Sequence, residues 1–387
     1  MRTVCFIELK YKAAILAFTG LLLFSLFQCA NLKPDDDITI LGNACAYLWD
    51  AQSADGGWHS ETHGIMRSGE SLTPFILDAL LNVPNSIYVP SPQDIDNAME
   101  FIRKNVQEKI NIDSVPQILD YPNYTAAYAL KTLSRSTHSA DTLLVQYLTQ
   151  YLVSQQFEEH RGIDTLHPAY GGWGFGEVGL KYGKVGHVDL SHTRRVLEAL
   201  RRTLPAEHPA FLKAQRYLAR VQNDASMTNA NQPTYLDGGF FTSLVIPETN
   251  KSLPVPGIPD TWYSYATATC DGLLALRAIG VSWSDTRIIQ AKTWLVQNQE
   301  LRYPQGIPHD DPLQWHHALK YYHLAVRGEI CAVATCDNIQ RQKISTILIS
   351  EQRDDGSFMN PMGAPNKEDD SLLATAFAIT ALTHAMY

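Results

Sequence analysis

The sequence predicts an all-α fold, an (α/α)6 toroid in which six pairs of helices close into a ring. Three observations predict it: a short phrase that recurs along the whole chain, a glycine-bearing turn after five of its six copies, and a second, more apolar helix after each copy. Helix pairs of this kind cannot bury both of their faces alone and must stack on their neighbours. Because closing the ring leaves no exposed end, we expect a single domain over residues 36–387.

The repeated phrase reads bulky apolar residue, Leu, three variable residues, Gln, with one extra residue in one copy. It ends the first helix of each pair, in which apolar residues recur three and four positions apart, as in an amphipathic helix. The glycines that follow, as in YGGWGF (170–175), let the chain reverse between the two helices. The copies are YLWDAQ (47–52), FIRKNVQ (101–107), YLVSQQ (151–156), YLARVQ (217–222), WLVQNQ (294–299) and ILISEQ (347–352).

The second helix of each pair is more apolar than the first and richer in small residues. Examples are YATATCDGLLALRAI (265–279) and DDSLLATAFAITAL (369–382). A helix that is apolar around most of its circumference is buried. We therefore expect the second helices to form an inner ring and the first helices an outer ring.

One long irregular insertion, residues 223–261, interrupts the pattern between a first and a second helix. It contains five prolines and an apolar, β-rich run that resembles a hairpin. Loops of this length are uncommon and often functional. Since the insertion leads directly into Trp262, Tyr263 and Tyr265, we expect a lid at the mouth of a central cavity; the alternative is a surface hairpin.

The first 29 residues have the pattern of an export signal. Basic residues precede an uncharged run over 13–27, which has the length of a secretory signal and is short for a transmembrane helix. The run ends in LFQCANLK (26–33), which resembles a bacterial lipobox with Cys29 as the lipidated residue. An uncleaved anchor or ordinary secretion are the alternatives. All three predict an extracytoplasmic domain, and the first two attach it to the membrane.

The net charge and the cysteine content limit the classes of partner and cofactor that we expect. The net charge of -9 argues against a nucleic-acid partner, which would require a basic face. No CxxC pair is present, and we expect neither a metal nor another cofactor. In an oxidising compartment Cys331 and Cys336 could form a disulfide, and two buried free thiols are the alternative.

The repeated unit, Gln followed by Gly-Gly-Trp or Gly-x-Phe, resembles the QW repeat of squalene cyclases and of protein prenyltransferase β-subunits. The stretch from Tyr170 to Leu200 looks especially like secreted bacterial members of this terpenoid cyclase superfamily. The resemblance implies that the Gln amide caps the next helix and that the aromatic residue stacks on it. It also implies an isoprenoid or lipid-like ligand in the centre of the ring.

The acid that this resemblance implies is not present in its usual form. Squalene-type cyclases protonate an alkene with an Asp in a D-x-D-D-T segment at the start of an inner helix. The best match here begins at Asp189 and has Ser191 in the place of the acid. Asp369 is a second candidate acid, with Asp370 beside it. A pair of acids at a helix start is also ordinary N-capping.

Zinc-dependent prenyl transfer is not expected, because the D-x-C segment of the prenyltransferases is missing. The inner-helix starts nevertheless carry candidate ligand-binding residues. A histidine-rich start such as that around His316 could also hold a metal, although solvated helix-end histidines are the simpler interpretation. The ligand-binding candidates are His187, Asp189, His192, Trp262, Tyr263, Tyr265, Trp315 and His316.

The sequence therefore favours an exported toroid that lacks the D-x-D-D motif and binds a ligand or a protein partner in its central concavity. Two enzymatic alternatives remain open. One is a divergent terpenoid cyclase that uses Asp369 as the acid, and the other is a polysaccharide lyase or hydrolase of the α/α-toroid type. A deep aromatic pocket favours terpenoids, an open polar groove favours glycans, and a filled centre favours a scaffold.

Overall fold

The computed structural model describes residues 34–109, 121–176, 179–224, 235–334 and 336–386. These residues contain thirteen α-helices and no regular β-strand, so the predicted all-α class is confirmed. The helices are α1 (Pro34–Asp50), α2 (Leu72–Leu80), α3 (Pro92–Lys109), α4 (Pro122–Leu133), α5 (Ser139–Ser154), α6 (Leu190–Leu200), α7 (Pro209–Arg220), α8 (Ala266–Ala278), α9 (Thr286–Gln297), α10 (Trp315–Ala318), α11 (Lys320–Val333), α12 (Asn338–Ile349) and α13 (Ser371–Met386).

Six of these helices form a closed inner ring. Helices α2, α4, α6, α8, α11 and α13 each pack on the next, and α13 returns to pack on α2. The first helix of each pair precedes its inner partner in the chain and packs outside the ring; these outer helices are α1, α3, α5, α7, α9 and α12. Helix α10 is a single extra turn before α11. The predicted (α/α)6 toroid is thereby confirmed, and the first and last pairs meet where α13 packs on α1.

Small residues let neighbouring inner helices approach closely. Gly328 of α11 faces α13, where an added Cβ would lie 2.7 Å from the backbone oxygen of Ala381. The facing side of α13 is lined with fully buried alanines, among them Ala374 and Ala378. The small-residue pattern of the second helices therefore reflects close packing in the ring.

The repeated Gln plays a different role from the one that the resemblance implied. Its side-chain NH₂ donates to two backbone carbonyls, whereas a helix N-cap would accept from N–H groups. Just after α5, Gln156 Nε2 donates to Gly171 O in its own turn and to Ala210 O in the first turn of α7, both at 2.9 Å. Gln52, Gln222 and Gln352 make the same pair of bonds in their repeats. In these four repeats the Gln thus joins the turn to the next outer helix.

The aromatic residue of the turn joins the two helices of a pair. The indole N–H of Trp173 donates to Leu152 O in the last turn of α5 at 2.7 Å, and its backbone N–H donates to Thr193 Oγ1 in α6 at 3.0 Å. A Thr in the inner helix accepts in the same way from Trp58, Phe240 and Phe358. The turns at Trp58 and Trp173 are therefore fixed at three points by hydrogen bonds, and those at Phe240 and Phe358, which lack an indole N–H, at two.

The described part of the irregular insertion, 235–261, contains no regular strand. A short antiparallel contact surrounds the isolated bridge between Pro254 and Trp262: Val255 N–H donates to Thr261 O at 2.9 Å, and Tyr263 N–H donates to Leu253 O at 3.0 Å. Side chains also hold the backbone, since Asn250 Oδ1 accepts from the N–H groups of Thr242 and Ser243, at 2.8 and 3.0 Å. Four prolines and three glycines in this part of the chain disfavour a continuous ladder.

Cys331 and Cys336 form a disulfide at the end of α11, with their Cα atoms 4.6 Å apart. Of the two alternatives for these cysteines, the disulfide is the one observed. Cys45 and Cys270 are buried free thiols. The predicted signal segment and Cys29 lie outside the described residues. Within those residues, no helix combines the length and apolarity that crossing a membrane requires.

Candidate functional site

A cavity of about 330 Å³ lies inside the ring, at the end where the six inner helices begin. It extends about two helical turns along the ring axis, since the wall on α4 runs from Tyr121 to Tyr128, a rise of about 10 Å. The positive ends of the inner-helix dipoles therefore point toward this cavity. The first-turn or capping residues that line it are Leu72, Tyr121, Asp189, Tyr265, Leu319 and Leu373, one from each inner helix.

Nine of the 27 residues that line the cavity are aromatic. Some of them pack edge to face across the ring: Phe75 contacts Tyr128 and Phe377, each with ring centroids 5.1 Å apart, and thereby links three inner helices. This arrangement gives the cavity a largely apolar surface. The aromatic wall residues are Phe75, Tyr121, Tyr124, Tyr128, Phe175, Tyr265, Trp315, Tyr322 and Phe377.

One side of the wall carries a buried carboxylate, Asp189, which caps α6. Its oxygens accept from the backbone N–H of His192 at 2.8 Å, from Ser191 Oγ at 3.0 Å and from His192 Nδ1 at 2.9 Å. His187 Nε2 makes a further, very short contact with the same carboxylate. Burial alone would raise the pKa of Asp189, but the two imidazoles hold it well below its usual range. Asp189 is therefore an ionised, fully hydrogen-bonded group.

The ring of His192 is enclosed by aromatic residues. Its centroid lies 4.2 Å from that of Tyr124 and 4.7 Å from that of Phe175. Within the described residues, His187, Asp189 and His192 are the group whose donor atoms, all within 4.8 Å of one another, could hold a metal ion. A metal-bound histidine usually donates its other ring N–H to an acceptor. His192 Nε2 is buried with no such partner among the described residues, so the cluster fits a hydrogen-bonded carboxylate better than a metal centre.

The far end of the cavity is closed by a buried ion network. Arg194 of α6 bonds Asp271 of α8 at 2.8 Å and Glu329 of α11 at 2.7 Å, and Arg195 bonds Glu329 at 2.9 Å. Both guanidinium groups also pair with Glu198, one turn further along α6. Two arginines thus face three carboxyl groups. The Arg194–Asp271 pair joins the neighbouring helices α6 and α8, and the pairs with Glu329 reach α11, two helices further around the ring.

Of the three carboxyl groups in this network, Asp271 is the one whose pKa is raised. Burial raises its pKa, opposed by Arg194 and Arg195, whereas Glu329 has a pKa well below its usual range because the same arginines outweigh its burial. The hydroxyl of Tyr322 donates to Asp271 Oδ2 at 2.6 Å. Asp271 also lines the cavity. Of the two carboxyls, Asp271 keeps its proton to the higher pH.

Two lysines lie at the opposite end, where the inner helices begin. Lys251, from the irregular insertion, places its Nζ 3.8 Å from the ring centroid of Trp315. Lys367, four residues before α13, lies 5.5 Å from the ring centroid of Tyr121. Both lysines line the cavity, as does Thr249 of the insertion. The insertion therefore supplies part of the wall, and its function as a lid stays a prediction.

The structure brings together five of the eight predicted ligand-binding residues. His187, Asp189, His192, Tyr265 and Trp315 line the cavity.

Three other ligand-binding candidates lie away from the cavity wall. Trp262 packs against Phe241, and Tyr263 packs against Tyr235. His316 is buried next to His317, and burial lowers its pKa, followed by the effect of that neighbouring imidazole. An aromatic residue at an inner-helix start therefore does not by itself reach the cavity.

Neither of the predicted catalytic acids lines the cavity. Asp370 caps α13, accepting from the N–H of Leu372 at 2.9 Å, and receives a 2.5 Å bond from Ser60. Asp369 pairs with His63 at 2.7 Å, and a quarter of its side chain is exposed. The placement of Asp370 agrees with the capping alternative, whereas Asp369 pairs with His63 and does not line the cavity.

Sequence reasoning missed the ion network and both lysines. A signal for the network exists: paired arginines in DLSHTRRVLEAL (189–200) and an acid in ATATCDGLLAL (266–276) interrupt otherwise apolar inner helices. Charges at such positions have to find partners inside the ring. No comparable signal marks Lys251, which lies in irregular backbone.

Solved structures share this fold over most of the chain. The type II terpene cyclase MstE from Scytonema aligns with a TM-score of 0.55 at 14% identity, over 91% of this chain and 100% of that one. A polysaccharide lyase aligns with a TM-score of 0.53 at 11% identity, over 91% and 97% of the two chains. A family 76 glycoside hydrolase from a bovine Bacteroides thetaiotaomicron strain aligns with a TM-score of 0.50 at 11% identity, over 89% and 77%.

No protein-family model and no curated protein matches the chain. At these identities the likeness concerns the fold. The protein is an α/α toroid of the kind found in a type II terpene cyclase, and the resemblance to cyclase-type toroids inferred from the repeats is confirmed at that level. The same fold also carries glycan-processing enzymes, so it does not select a chemistry.

Proposed function

We propose that the central cavity binds a small ligand with an apolar chain, isoprenoid or lipid-like in character. The observation that carries this proposal is the wall of nine aromatic side chains around a cavity inside the ring. Ligand sites are typically concave, mostly apolar and supplied with a few placed polar groups. The Asp189 cluster and the two lysines are such polar groups. A filled centre, which would have favoured a scaffold, is not what the inner helices form.

The cavity volume limits the length of the ligand. At about 30 Å³ for a group the size of water or methylene, roughly eleven such groups fill 330 Å³. This matches an isoprenoid of about ten carbons. Squalene, roughly three times as long, would need inner helices or the insertion to move apart. We therefore expect a short-chain ligand.

The comparison with MstE supports a ligand with a prenyl chain. A variant of MstE was solved with geranylgeranyl dihydroxybenzoate, a prenyl chain on an aromatic head. We transfer from it only the idea that a ring of inner helices can hold a prenyl chain. The lyase and the hydrolase of the same fold keep glycan processing open, but the largely apolar wall described above does not favour a polar polymer.

Binding to the full chain tests the proposal, with geraniol and squalene as probes in titration calorimetry and thermal-shift assays. We expect saturable binding of geraniol and little binding of squalene. Ala268 lines the cavity, and Ala268→Phe should fill it and abolish geraniol binding. Leu253→Phe, at an exposed position of the insertion, is the matched control for an added ring. Unchanged binding by Ala268→Phe would show that geraniol binds elsewhere.

A second candidate function is alkene protonation by Asp271. Asp271 lies on the cavity wall with a raised pKa, unlike Asp369, and a retained proton is what a cyclase acid needs. The carboxyl would transfer its proton to an alkene carbon and regain one when the cyclised cation loses a proton. Incubation with geraniol, farnesol and, for the glycan alternative, uronate polymers tests it. Cyclised product lost in Asp271→Asn but kept in Asp369→Asn would support Asp271, and the reverse pattern would restore Asp369.

We also propose that the protein is exported and held at a membrane through Cys29 or an uncleaved anchor. The support is the basic start, the uncharged run 13–27 and the lipobox-like LFQCANLK. Labelling with a clickable fatty acid and cell fractionation test this. If Cys29 is lipidated, Cys29→Ser removes the label and releases the protein or leaves its precursor uncleaved. Unchanged labelling of Cys29→Ser would refute lipidation at this residue.

A further inference from the structure

We infer that the ligand carries an anionic head group, which Lys251 and Lys367 bind at the end of the cavity where the inner helices begin. The inference rests on the proposed function, that the cavity holds an apolar chain. It adds the chemical class of the ligand: an amphiphile with a carboxylate or a phosphate at one end and a chain of about ten carbons at the other.

The first argument is the charge balance of the cavity wall. Arg195 is paired with Glu329 at 2.9 Å, Asp189 is bonded by His187 and His192, and Asp271 is paired with an arginine. Among the described residues, no carboxylate forms an ion pair with either of the two remaining cations, Lys251 and Lys367. Both contact aromatic rings instead. Two ammonium groups are therefore available to an anion.

The environment of Lys251 supports this inference. Burial lowers its pKa to about 8, and the carboxylates of Asp189 and Asp311 oppose that effect only partly. The protein thus keeps a cation in a poorly hydrated place, against the indole of Trp315. A cation–π contact stabilises such a group less than a charge-assisted hydrogen bond does. An anion in the cavity would supply that hydrogen bond.

Backbone strain supports a positioned role for Lys367. It has a left-handed backbone with φ +62°, and its ring partner Tyr121 has φ +49°, conformations that non-glycine residues seldom adopt. Such strain persists where the surrounding structure imposes it, often at ligand sites. Tyr121 directly precedes α4 and Lys367 lies four residues before α13, and both residues line the cavity.

The polarity of the ring sets the orientation of the ligand. All six inner helices of the ring direct their N-terminal, positive ends toward the lysine end of the cavity, which favours an anion there. The far end contains the aromatic rings of Phe75, Tyr128 and Phe377 and is closed by the paired arginines. The head group therefore lies at the lysine end of the cavity, and the chain extends toward these three rings.

Titration calorimetry on the full chain with geranic acid, geranyl phosphate and geraniol tests the inference, near neutral pH and at low and high salt. We expect at least one of the two anions to bind about tenfold or more tightly than geraniol, because a charge-assisted hydrogen bond replaces a neutral one. Added salt should reduce this preference and leave geraniol binding unchanged. The comparison of the carboxylate with the phosphate identifies the head group.

Variants separate the head-group inference from the proposed function. Lys251→Met and Lys367→Met should each reduce the preference for the anion several-fold and keep geraniol binding. Lys292→Met is the matched control, because Lys292 also lies over a ring, that of Trp283, but outside the cavity. Equal binding of geraniol and both anions would overturn the anionic head and keep the proposed function. Binding of none of the three would overturn both.

Discussion

Replacing Lys251 by Met should stabilise the protein when no ligand is bound. The pKa of Lys251 is lowered from 10.5 to about 8 because burial disfavours the ammonium form. At about 1.4 kcal/mol per pKa unit, the shift corresponds to about 3 kcal/mol. Since the side chain is only partly buried and loses its contact with Trp315 on substitution, we expect a net gain of about 1–2 kcal/mol.

Scanning calorimetry near pH 7 measures this gain. An unfolding entropy of about 2 cal/mol/K per residue gives roughly 1–3 °C of increase in Tm for a chain of this length. The pH dependence is a second signature. The folded protein releases the Lys251 proton near pH 8 and the unfolded chain near 10.5, so the stability of the wild type rises over this window. Lys251→Met should flatten that rise.

Lys292→Met provides the comparison, since it removes a lysine from a ring contact outside the cavity and should leave Tm nearly unchanged. A lower Tm for Lys251→Met, or the same rise in stability above pH 8 as in the wild type, would refute the argument. A stabilised variant that binds anions poorly would show that the protein retains this cation for ligand binding at a cost in stability.

Three further predictions concern the ring itself. Gln352→Leu removes two hydrogen bonds, one of them to Ile40 O in α1, and should lower the unfolding free energy by about 2 kcal/mol in denaturant titrations. Thr193→Val removes the acceptor of the Trp173 N–H and should cost about 1–2 kcal/mol, whereas Thr193→Ser should cost less. Arg194→Met leaves buried carboxylates without their partner and should cost about 3–5 kcal/mol by the same assay; a smaller loss for this variant than for Thr193→Val would contradict the buried network.

The fold could be predicted because the same unit of two helices and a turn recurs six times in the sequence. Period and polarity identify the helices, glycine identifies the turns, and closure of the ring follows from the apolar second helices. The role of the Gln could not be predicted from the pattern. A side-chain amide offers both a donor and an acceptor, and only the geometry reveals that Gln156 donates to Gly171 and Ala210.

The candidate site was predictable on α6 and less so elsewhere. The motif at Asp189 marks the residues that lie together at a helix start. Asp271 lies in the second turn of α8, and its contact with Arg194 depends on how α8 is aligned along α6. The sequence of neither helix predicts that alignment. Lys251 lies in irregular backbone, where no hydrophobic periodicity predicts which side chains face the cavity.

The turn YGGWGFG (170–176) unites architecture and site in one segment. Trp173 fixes the pair of helices through Leu152 O and Thr193 Oγ1, and Phe175, two residues later, stacks on His187 at 4.0 Å in the cavity wall. Gly174 lies between them, where an added Cβ would lie 1.4 Å from the backbone oxygen of His187. The backbone must approach this closely for Phe175 to reach His187. A substitution at Gly174 should therefore displace the cavity wall and the turn together, so the best-preserved turn of the repeat is also part of the candidate site.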